Sequence, residues 1–291
     1  MKLSPPAFIK ENLSLAPHCF YNIGGTMRWA LFPRSLEEIQ EGYQWIQKKG
    51  VPFLILGGGT NVLVSDKGYD GAVLFTGGLD YSTPLGCNRF KVGAGTILAS
   101  LVTQVLLPNN YTGTGALTGI PGSVGGALFM NAGTVNGTIC QFTESVQLLS
   151  ASGLTQWQMS SDDYCYRGQR FCTTNTVILE GVFSFTVDEK DQLAVYEHYL
   201  KRRKETQPQG RCCGSVFKNP EGDHAGRLIE LCGLKGTRRG GAVISEKHAN
   251  FIVNQDNASF DDVYGLICLA KEEVLKRFGI ELKEEVRIIH G

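Results

Sequence analysis

The sequence predicts an α+β fold with more than one compact unit, and three observations support this. Its 291 residues exceed the roughly 100–200 residues of a typical domain. Short β-rich segments such as "GAVLF" and "RFKVGAG" recur along the chain, with helical segments between them. The 36 glycines are concentrated at 57–59, 113–137 and 210–241, which indicates sharp turns or close approach to a ligand.

The first predicted helix covers residues 35–49. Ser35 and Glu38 form a capping-box pattern, and Gly50 ends the helix. Its apolar stripe consists of Leu36, Ile39, Tyr43 and Ile46.

The segment "PFLILGGGTNVLVSD" predicts a strand, a glycine turn at 57–61 and a second strand. A dinucleotide fingerprint of the G-x-G-x-x-G type opens a helix. Here the sixth position is Val62 and no long helix follows. The pattern therefore excludes a Rossmann site.

The remaining elements follow in order along the chain. Strands are expected in 71–95, and "TILASLVTQVLL" predicts a helix that ends before Pro108. A glycine-rich entry into a short helix follows at 119–133, and strands are expected in 143–187. The later elements are a basic helix within 188–207, a helix at 224–232 ended by Gly233, a strand at 250–254, and a helix at 259–278 capped by Ser259 and Asp262.

The charge balance argues against nucleic acid as a partner. The 28 basic and 28 acidic side chains give zero formal net charge, so no long-range field attracts polyanions or anionic membranes. No apolar run approaches the roughly 20 residues of a membrane helix, and no secretory signal is visible. We expect a cytoplasmic monomer with small-molecule partners.

The nine cysteines have an odd count and contain no C-x-x-C pair. This pattern favours neither a zinc site nor a disulfide framework. We expect most of them to be reduced, small core residues, and we expect no metal.

Two glycine loops are candidate phosphate cradles. Main-chain N–H groups in the loop at 57–61 can bind phosphate oxygens. An ordinary hairpin turn is the alternative interpretation of the same sequence. The loop at 119–126 leads into a helix start that favours a diphosphate, although close packing of a glycine helix against a sheet is the alternative. Together they predict a dinucleotide held largely by main chain, with Asn61 and Asn131 able to contact sugar or ring edges.

Seven motifs occur together and in order: "PFLILGGGTNVLVSD", "GIPGSVGGALFMNAG", "YRGQRF", "GSVFKNP", "GLKG", "KHANFIVN" and "EEVRIIHG". Across about residues 20–290 the chain resembles the UDP-N-acetylenolpyruvoylglucosamine reductases, and it resembles their shorter (type II-like) subtype. The resemblance implies a vanillyl-alcohol-oxidase-type (PCMH-type) FAD-binding fold of two α/β subdomains, at 1–72 and 73–188. It also implies an α/β substrate-binding domain at 189–291, whose terminal strand returns to the active site.

The resemblance also implies an activity. In this family NADPH reduces a non-covalently bound FAD, and the flavin passes hydride to the enolpyruvyl ether of UDP-N-acetylglucosamine-enolpyruvate. The product, UDP-N-acetylmuramate, is a peptidoglycan precursor. By motif position the FAD-binding residues are Gly57, Gly58, Gly59, Thr60, Asn61, Val62, Pro121, Gly122, Ser123, Gly125, Gly126, Asn131 and Gly133.

Three residues match the family's catalytic positions. Ser215 matches the proton donor; a capping serine in a glycine turn is the alternative. Arg167 matches the arginine that binds the substrate carboxylate, with Arg170 competing for that role on chemistry alone. Glu285 matches the catalytic glutamate. In a strand the side chains of Glu284 and Glu285 would point to opposite faces, so only one of them could enter the site.

Further residues on matching segments are expected to bind the substrate: Lys218, Asn219, Lys235 and Arg287. The basic run 201–204 is expected to be a solvated helix face, with contact between one of its members and the substrate phosphates as the alternative. Two departures from the family occur. Arg-Cys-Cys precedes Gly214 where Pro-Ser-Ala is commoner, and Gln169 replaces a small hydroxyl residue.

Two rival functions share parts of this pattern. One is an FAD-dependent oxidase of the same fold with covalently attached flavin, which requires a suitably placed His or Cys; neither glycine loop contains a histidine. The other is an inactive nucleotide-binding homologue, against which the presence of Arg167, Ser215 and Glu285 argues.

Overall fold

A computed structural model describes residues 5–291, and the chain divides into two compact units. The first unit comprises residues 5–13, 28–58 and 71–201, and the second comprises 14–27, 59–70 and 202–291. Two segments of the N-terminal region thus fold with the C-terminal part of the chain. The division into 1–72, 73–188 and 189–291 stays a prediction.

The strands in chain order are β1 (Ile9–Ser14), β2 (Thr26–Leu31), β3 (Phe53–Leu56), β4 (Val62–Val64), β5 (Tyr69–Phe75), β6 (Ser82–Gly86), β7 (Arg89–Gly93), β8 (Gly133–Thr134), β9 (Gly137–Thr138), β10 (Thr143–Ser150), β11 (Gly153–Gln158), β12 (Tyr164–Cys165), β13 (Gly168–Gln169), β14 (Val177–Ser184), β15 (Arg238–Arg239), β16 (Ala242–Ile244), β17 (Ile252–Asn254) and β18 (Arg287–Ile289). The α-helices are α1 (Leu36–Lys49), α2 (Leu98–Leu101), α3 (Thr114–Leu117), α4 (Val124–Met130), α5 (Gln192–Thr206), α6 (Ala225–Leu231) and α7 (Phe260–Phe278).

The first unit contains two main sheets. One has the strand order β1-β2-β5-β3, in which β3 and β5 run parallel. The other is a five-stranded sheet of order β11-β10-β14-β7-β6, whose successive pairs are all antiparallel. Separate apolar clusters lie beside them, one centred on Leu31, Ile39 and Leu74 and one on Leu98, Leu128 and Phe183.

The second unit has one main apolar core and two small sheets. The core joins Tyr21 and Leu63 to side chains of α6 and α7, including Leu228 and Ile267. Strands β15, β16 and β17 form an antiparallel sheet. Strand β18, near the C-terminus, pairs in parallel with β4, with Arg287 opposite Val62.

Helix boundaries follow the capping residues that the sequence predicts. The Ser35 hydroxyl accepts the Glu38 N–H at 3.2 Å, while the Glu38 carboxylate accepts the Arg34 N–H at 2.6 Å. Gly50 ends α1 in the left-handed conformation, with φ 64°. At α7 the reciprocal Ser259–Asp262 capping box is complete. These local signals placed both helices correctly.

The helix predicted to end before Pro108 continues further. Helix α2 passes into a π-helical turn, Val102–Leu106, and then into a 3₁₀ turn, Leu107–Asn109, that contains Pro108. Proline is tolerated here because it lies in the first turn of the 3₁₀ segment, where its missing N–H is not required. The predicted boundary was therefore wrong by one short turn.

All nine cysteines are free thiols, and they differ in exposure. Cys19, Cys140, Cys212 and Cys213 are buried, Cys172 and Cys232 are half-buried, and Cys87, Cys165 and Cys268 are exposed. The expectation that most are core residues is met by only four. Burial raises the pKa of the Cys19, Cys140 and Cys172 thiols to about 12, so these groups remain protonated at neutral pH.

We expect a disulfide reagent such as dithionitrobenzoate to titrate three thiols quickly in the native protein and nine in denaturant. The reason is that reactivity needs an exposed thiolate, and only three thiols are exposed. Single substitutions of Cys87, Cys165 and Cys268 should each remove one fast equivalent. Rapid reaction of the Cys213 thiol with the reagent would contradict its burial in the core.

Residues 5–291 contain neither a candidate membrane-spanning helix nor a candidate metal site. No helix there combines the length and apolar character needed to cross a bilayer. No group of three or more His, Cys, Asp or Glu side chains in the same range is arranged to hold a metal ion.

Candidate functional site

In the first unit the two glycine loops lie against each other. A Cβ built on Gly57 would approach Ser123 Oγ to 2.1 Å, and a Cβ on Gly58 would approach Gly122 Cα to 3.0 Å. Side chains at these positions would collide with the second loop, so their absence permits the contact. This close approach favours the cradle interpretation over an isolated hairpin turn.

The second loop is held by main-chain hydrogen bonds to residues 94–98. Leu98 N–H donates to Gly122 O at 2.9 Å, and Val124 N–H donates to Thr96 O at 2.8 Å. Ser123 then caps α4, because its hydroxyl accepts the Gly126 N–H at 3.4 Å. The first turn of α4 is thereby fixed beside the first loop.

Gly125 and Gly126 differ sharply although they are neighbours on α4. A Cβ on Gly125 would lie 2.8 Å from Ala94 Cβ, whereas a Cβ on Gly126 would approach only Ser123 Oγ, at 3.5 Å. Gly125 is buried and Gly126 is exposed. One glycine therefore permits helix packing, and the other leaves the start of the helix accessible.

The first loop continues into the second unit, where it contacts the C-terminal segment. Gly59 O accepts the Phe20 N–H at 2.9 Å. The Asn61 side-chain amide donates to Glu285 O at 3.0 Å, and Arg287 N–H donates to Asn61 O at 3.0 Å. The segment carrying Glu285 and Arg287 is thus bound directly to residues 59–62.

Asn131 and Gly133 form hydrogen bonds to the short β12–β13 hairpin. Asn131 is buried, and its side-chain amide donates to Cys165 O at 2.8 Å and accepts the Cys140 N–H at 3.3 Å. The Arg167 guanidinium donates to Gly133 O at 3.0 Å. Both residues therefore support the hairpin, and their roles toward a cofactor stay predictions.

Arg167 lies at the turn of this β12–β13 hairpin, in the left-handed conformation with φ 53°. Its guanidinium carbon lies 5.2 Å from the centroid of the Tyr166 ring. The ring and the Gly133 carbonyl together restrict the orientation of the guanidinium. A planar, oriented guanidinium can bind a carboxylate through two N–H donors.

Gln169, a departure from the family pattern, has a structural role of its own. Its side chain donates to Cys172 O and accepts the Cys172 N–H, each at 2.9 Å. The side chain thus closes the loop after β13.

In the second unit, Ser215 is half-buried in a loop that is bonded on both sides. On one side, Val216 N–H donates to Asn250 O at 2.9 Å. On the other, Val216 O accepts the Glu285 N–H at 2.7 Å. These bonds join Ser215 and Glu285, residues far apart in sequence, through one intervening residue.

Glu284 and Glu285 precede β18 and lie outside any strand, so the alternation expected of adjacent strand residues does not apply to them. Glu284 forms an ion pair with Lys271, with Nζ–Oε1 2.7 Å, and Glu284 pairs with Phe217 in an antiparallel bridge. Glu285 is half-buried and outside this ion pair.

The predicted substrate-binding side chains include two with identified partners in the protein. Asn219 Oδ1 accepts the Ala225 N–H at 3.1 Å, at the start of α6. Lys235 pairs with Glu230 at 2.7 Å. Burial lowers the pKa of Arg287, and Lys218 is half-buried.

The second departure from the family places a thiol under this loop. Cys213 is buried, and its S–H donates to Val62 O at 3.2 Å, where β4 begins. Burial raises the pKa of this thiol, so it acts as a weak donor. It packs in the core that also contains Tyr21.

Asn250 lies in the motif "KHANFIVN" but has no predicted role in the site. The signal that could have found it is a polar residue between apolar ones at the start of a strand, since a buried amide requires partners.

Two contacting glycine loops in an α+β fold, with no long helix after the first loop, agree with the vanillyl-alcohol-oxidase type of FAD-binding fold that the motif resemblance implies. Residues 28–157 match the family model "FAD binding domain". The solved structure of Phl p 4.0202, a glucose dehydrogenase, covers 64% of this chain and 42% of its own, with a TM-score of 0.50 and 13% identity, which shows the fold alone.

Residues 206–289 match the model "UDP-N-acetylenolpyruvoylglucosamine reductase, C-terminal domain". Reductases of this name from Desulforamulus reducens and Clostridium botulinum are 38% and 36% identical to this chain, each covering 97% of it and 93% of the relative. The crystal structure of the Thermus caldophilus enzyme has a TM-score of 0.80 at 30% identity and covers 97% of this chain and 100% of its own. The chain belongs to the UDP-N-acetylenolpyruvoylglucosamine reductase family, as the sequence motifs predicted.

Proposed function

We propose that this protein reduces UDP-N-acetylglucosamine-enolpyruvate to UDP-N-acetylmuramate for peptidoglycan precursor synthesis, with FAD as cofactor and NADPH as hydride donor. The observation that carries the proposal is family membership over 97% of the chain. We further propose that it acts as a monomer in the cytoplasm.

The described residues fit FAD. Gly57, Gly58, Gly122 and Ser123 form two main-chain loops in contact, and Gly126 leaves the first turn of α4 open. Thr60, Val62 and Pro121 lie on the same loops. When bound, FAD would supply two-electron hydride chemistry to the enolpyruvyl double bond.

The remaining chemistry belongs to side chains of this chain. Ser215 would donate a proton to the carbon next to the carboxylate, since positioned proton transfer typically contributes about 10²–10⁴-fold. Arg167 would bind the carboxylate as negative charge grows there, a contribution of roughly 3–4 kcal/mol for one preorganised donor. Glu285 would assist only as a protonated or hydrogen-bonded group, because a bare carboxylate would repel that charge.

The groups proposed to bind the UDP-sugar come from three separate segments of the chain. Lys218 and Asn219 follow the Ser215 loop directly, and Arg287 lies two residues after Glu285. Lys235 would exchange its ion pair with Glu230 for a substrate phosphate. Half-burial of Lys218 and Arg287 supports this role, because partial desolvation strengthens an ion pair.

The purified protein should be yellow, and NADPH alone should reduce its bound flavin once. Continued NADPH oxidation should require the enolpyruvyl substrate and should yield UDP-N-acetylmuramate. Acid precipitation should release the flavin into the supernatant. Flavin retained in the pellet would favour the covalent oxidase, and a protein that takes up no FAD would contradict the proposal.

A further inference from the structure

Asn250 is a buried asparagine that binds the loop carrying Ser215. It is 3% exposed and lies just before β17. Its side-chain Oδ1 accepts the Phe217 N–H at 2.9 Å, and its Nδ2 donates to Phe217 O at 2.8 Å. The side chain thereby satisfies both main-chain polar groups of Phe217.

The main chain of Asn250 adds two further bonds. Its carbonyl accepts the Val216 N–H at 2.9 Å, and its N–H donates to His248 Nδ1 at 3.2 Å. Burial, with a smaller effect of Lys235, lowers the pKa of His248, so this nitrogen remains an acceptor at neutral pH. Asn250 is therefore itself held in place.

The opposite edge of the same loop is bonded to the C-terminal segment. Val216 O accepts N–H groups from Glu285 and Val286, at 2.7 and 3.2 Å, and Lys218 N–H donates to Lys283 O at 2.9 Å. Residues 216–218 thus form a bridge with Asn250 on one side and the Glu285 segment on the other. Loss of the Asn250 side of this bridge would leave residues 216–218, and Ser215 next to them, held from one side.

We propose that Asn250 is a positioning residue for proton donation, which fixes Ser215 through the main chain of Val216 and Phe217. The inference rests on the proposed function of Ser215. A displacement of about 1 Å at a reacting group can slow a reaction on the order of 10²-fold, so the position of this loop matters more than its stability alone. No contact of Asn250 with substrate is required.

Asn254, four residues later, provides a matched control. It is also buried, at 5% exposure, and its side chain also makes one donated and one accepted main-chain bond, to Tyr21 O and from Ala258 N–H, each at 2.8 Å. Its side chain does not bond residues 214–218 in the described structure. The two asparagines differ in which segment their side chains hold.

The test compares Asn250→Asp with Asn254→Asp. Each change keeps the size and the accepted bond but replaces the donor with an oxygen that faces a carbonyl. The unfolding temperature and FAD content are measured first; anaerobic stopped-flow then follows flavin reduction by NADPH and flavin reoxidation by saturating enolpyruvyl substrate. We expect both variants to be destabilised and both to be reduced by NADPH within about twofold of wild type. Only Asn250→Asp should slow reoxidation, by on the order of 10–100-fold.

Three outcomes are distinguishable. Equal slowing by both variants, or wild-type reoxidation in Asn250→Asp, would overturn the positioning role. If wild-type reduced flavin is not reoxidised by the substrate, the proposed function itself fails. Where the Asp variants do not fold, the uncharged pair Asn250→Ser and Asn254→Ser makes the same comparison.

Discussion

Ser215→Ala is expected to leave flavin reduction by NADPH intact and to slow flavin reoxidation by the enolpyruvyl substrate by roughly 10²-fold or more. The hydroxyl is proposed to act only when the substrate carbon is protonated, so its loss should affect one half-reaction. An alanine leaves the surrounding main-chain bonds of Val216 unchanged. The loop should therefore keep its conformation.

The two half-reactions are measured separately by anaerobic stopped-flow at the flavin absorbance band. Cys213→Ala is the control, because it removes the S–H bond to Val62 O from the same loop without touching the hydroxyl. It should slow reoxidation far less than Ser215→Ala does. Equal losses in both half-reactions for Ser215→Ala would mean that the serine is structural.

The helices that were predicted well carry their own boundary signals. Ser35, Gly50 and the Ser259–Asp262 pair act within one helical turn, so their effect is local and readable from sequence. Pro108 shows the limit of such signals, because a 3₁₀ turn accommodates a proline that an α-helix interior excludes. Local rules give the element but not the precise form of its last turn.

Long-range pairing could not be predicted from the residues alone. Nothing in the segments 14–27 and 59–70 indicates that they pack with residues 202–291, since their partners are chosen by the shared core around Tyr21 and Leu63. The same holds for Asn250, whose partners lie about thirty residues away, at Val216 and Phe217. The motif resemblance supplied the family, while the contacts that organise the site arise only in the folded chain.

The glycine loops were predicted individually, but their mutual contact was not. Glycine spacing alone left an ordinary hairpin turn and close helix packing as alternatives. In the structure both close packing and open access occur, at adjacent residues: Gly125 packs against Ala94, and Gly126 is exposed. A sequence cannot separate these roles because both positions read as the same letter.

Gly126→Ala should therefore stabilise the apoprotein and at the same time weaken FAD binding. Alanine is favoured over glycine in a helix by roughly 0.5–1 kcal/mol, and its Cβ meets only Ser123 Oγ, at an ordinary contact distance of 3.5 Å. The same methyl group would occupy space at the first turn of α4, where the FAD diphosphate is proposed to approach. We expect the dissociation constant for FAD to rise at least about tenfold, equivalent to about 1.4 kcal/mol.

Gly125→Ala is the matched contrast, because it adds the same methyl group one residue earlier on the same helix. Its Cβ would lie 2.8 Å from Ala94 Cβ, and overpacking of this kind typically costs about 1–3 kcal/mol. Apoprotein unfolding and FAD titration are measured on both variants. The free energy of unfolding should rise in Gly126→Ala and fall in Gly125→Ala. Unchanged FAD affinity in a stabilised Gly126→Ala protein would mean that the diphosphate does not approach this turn, and the loop at 57–61 would then have to hold it without α4.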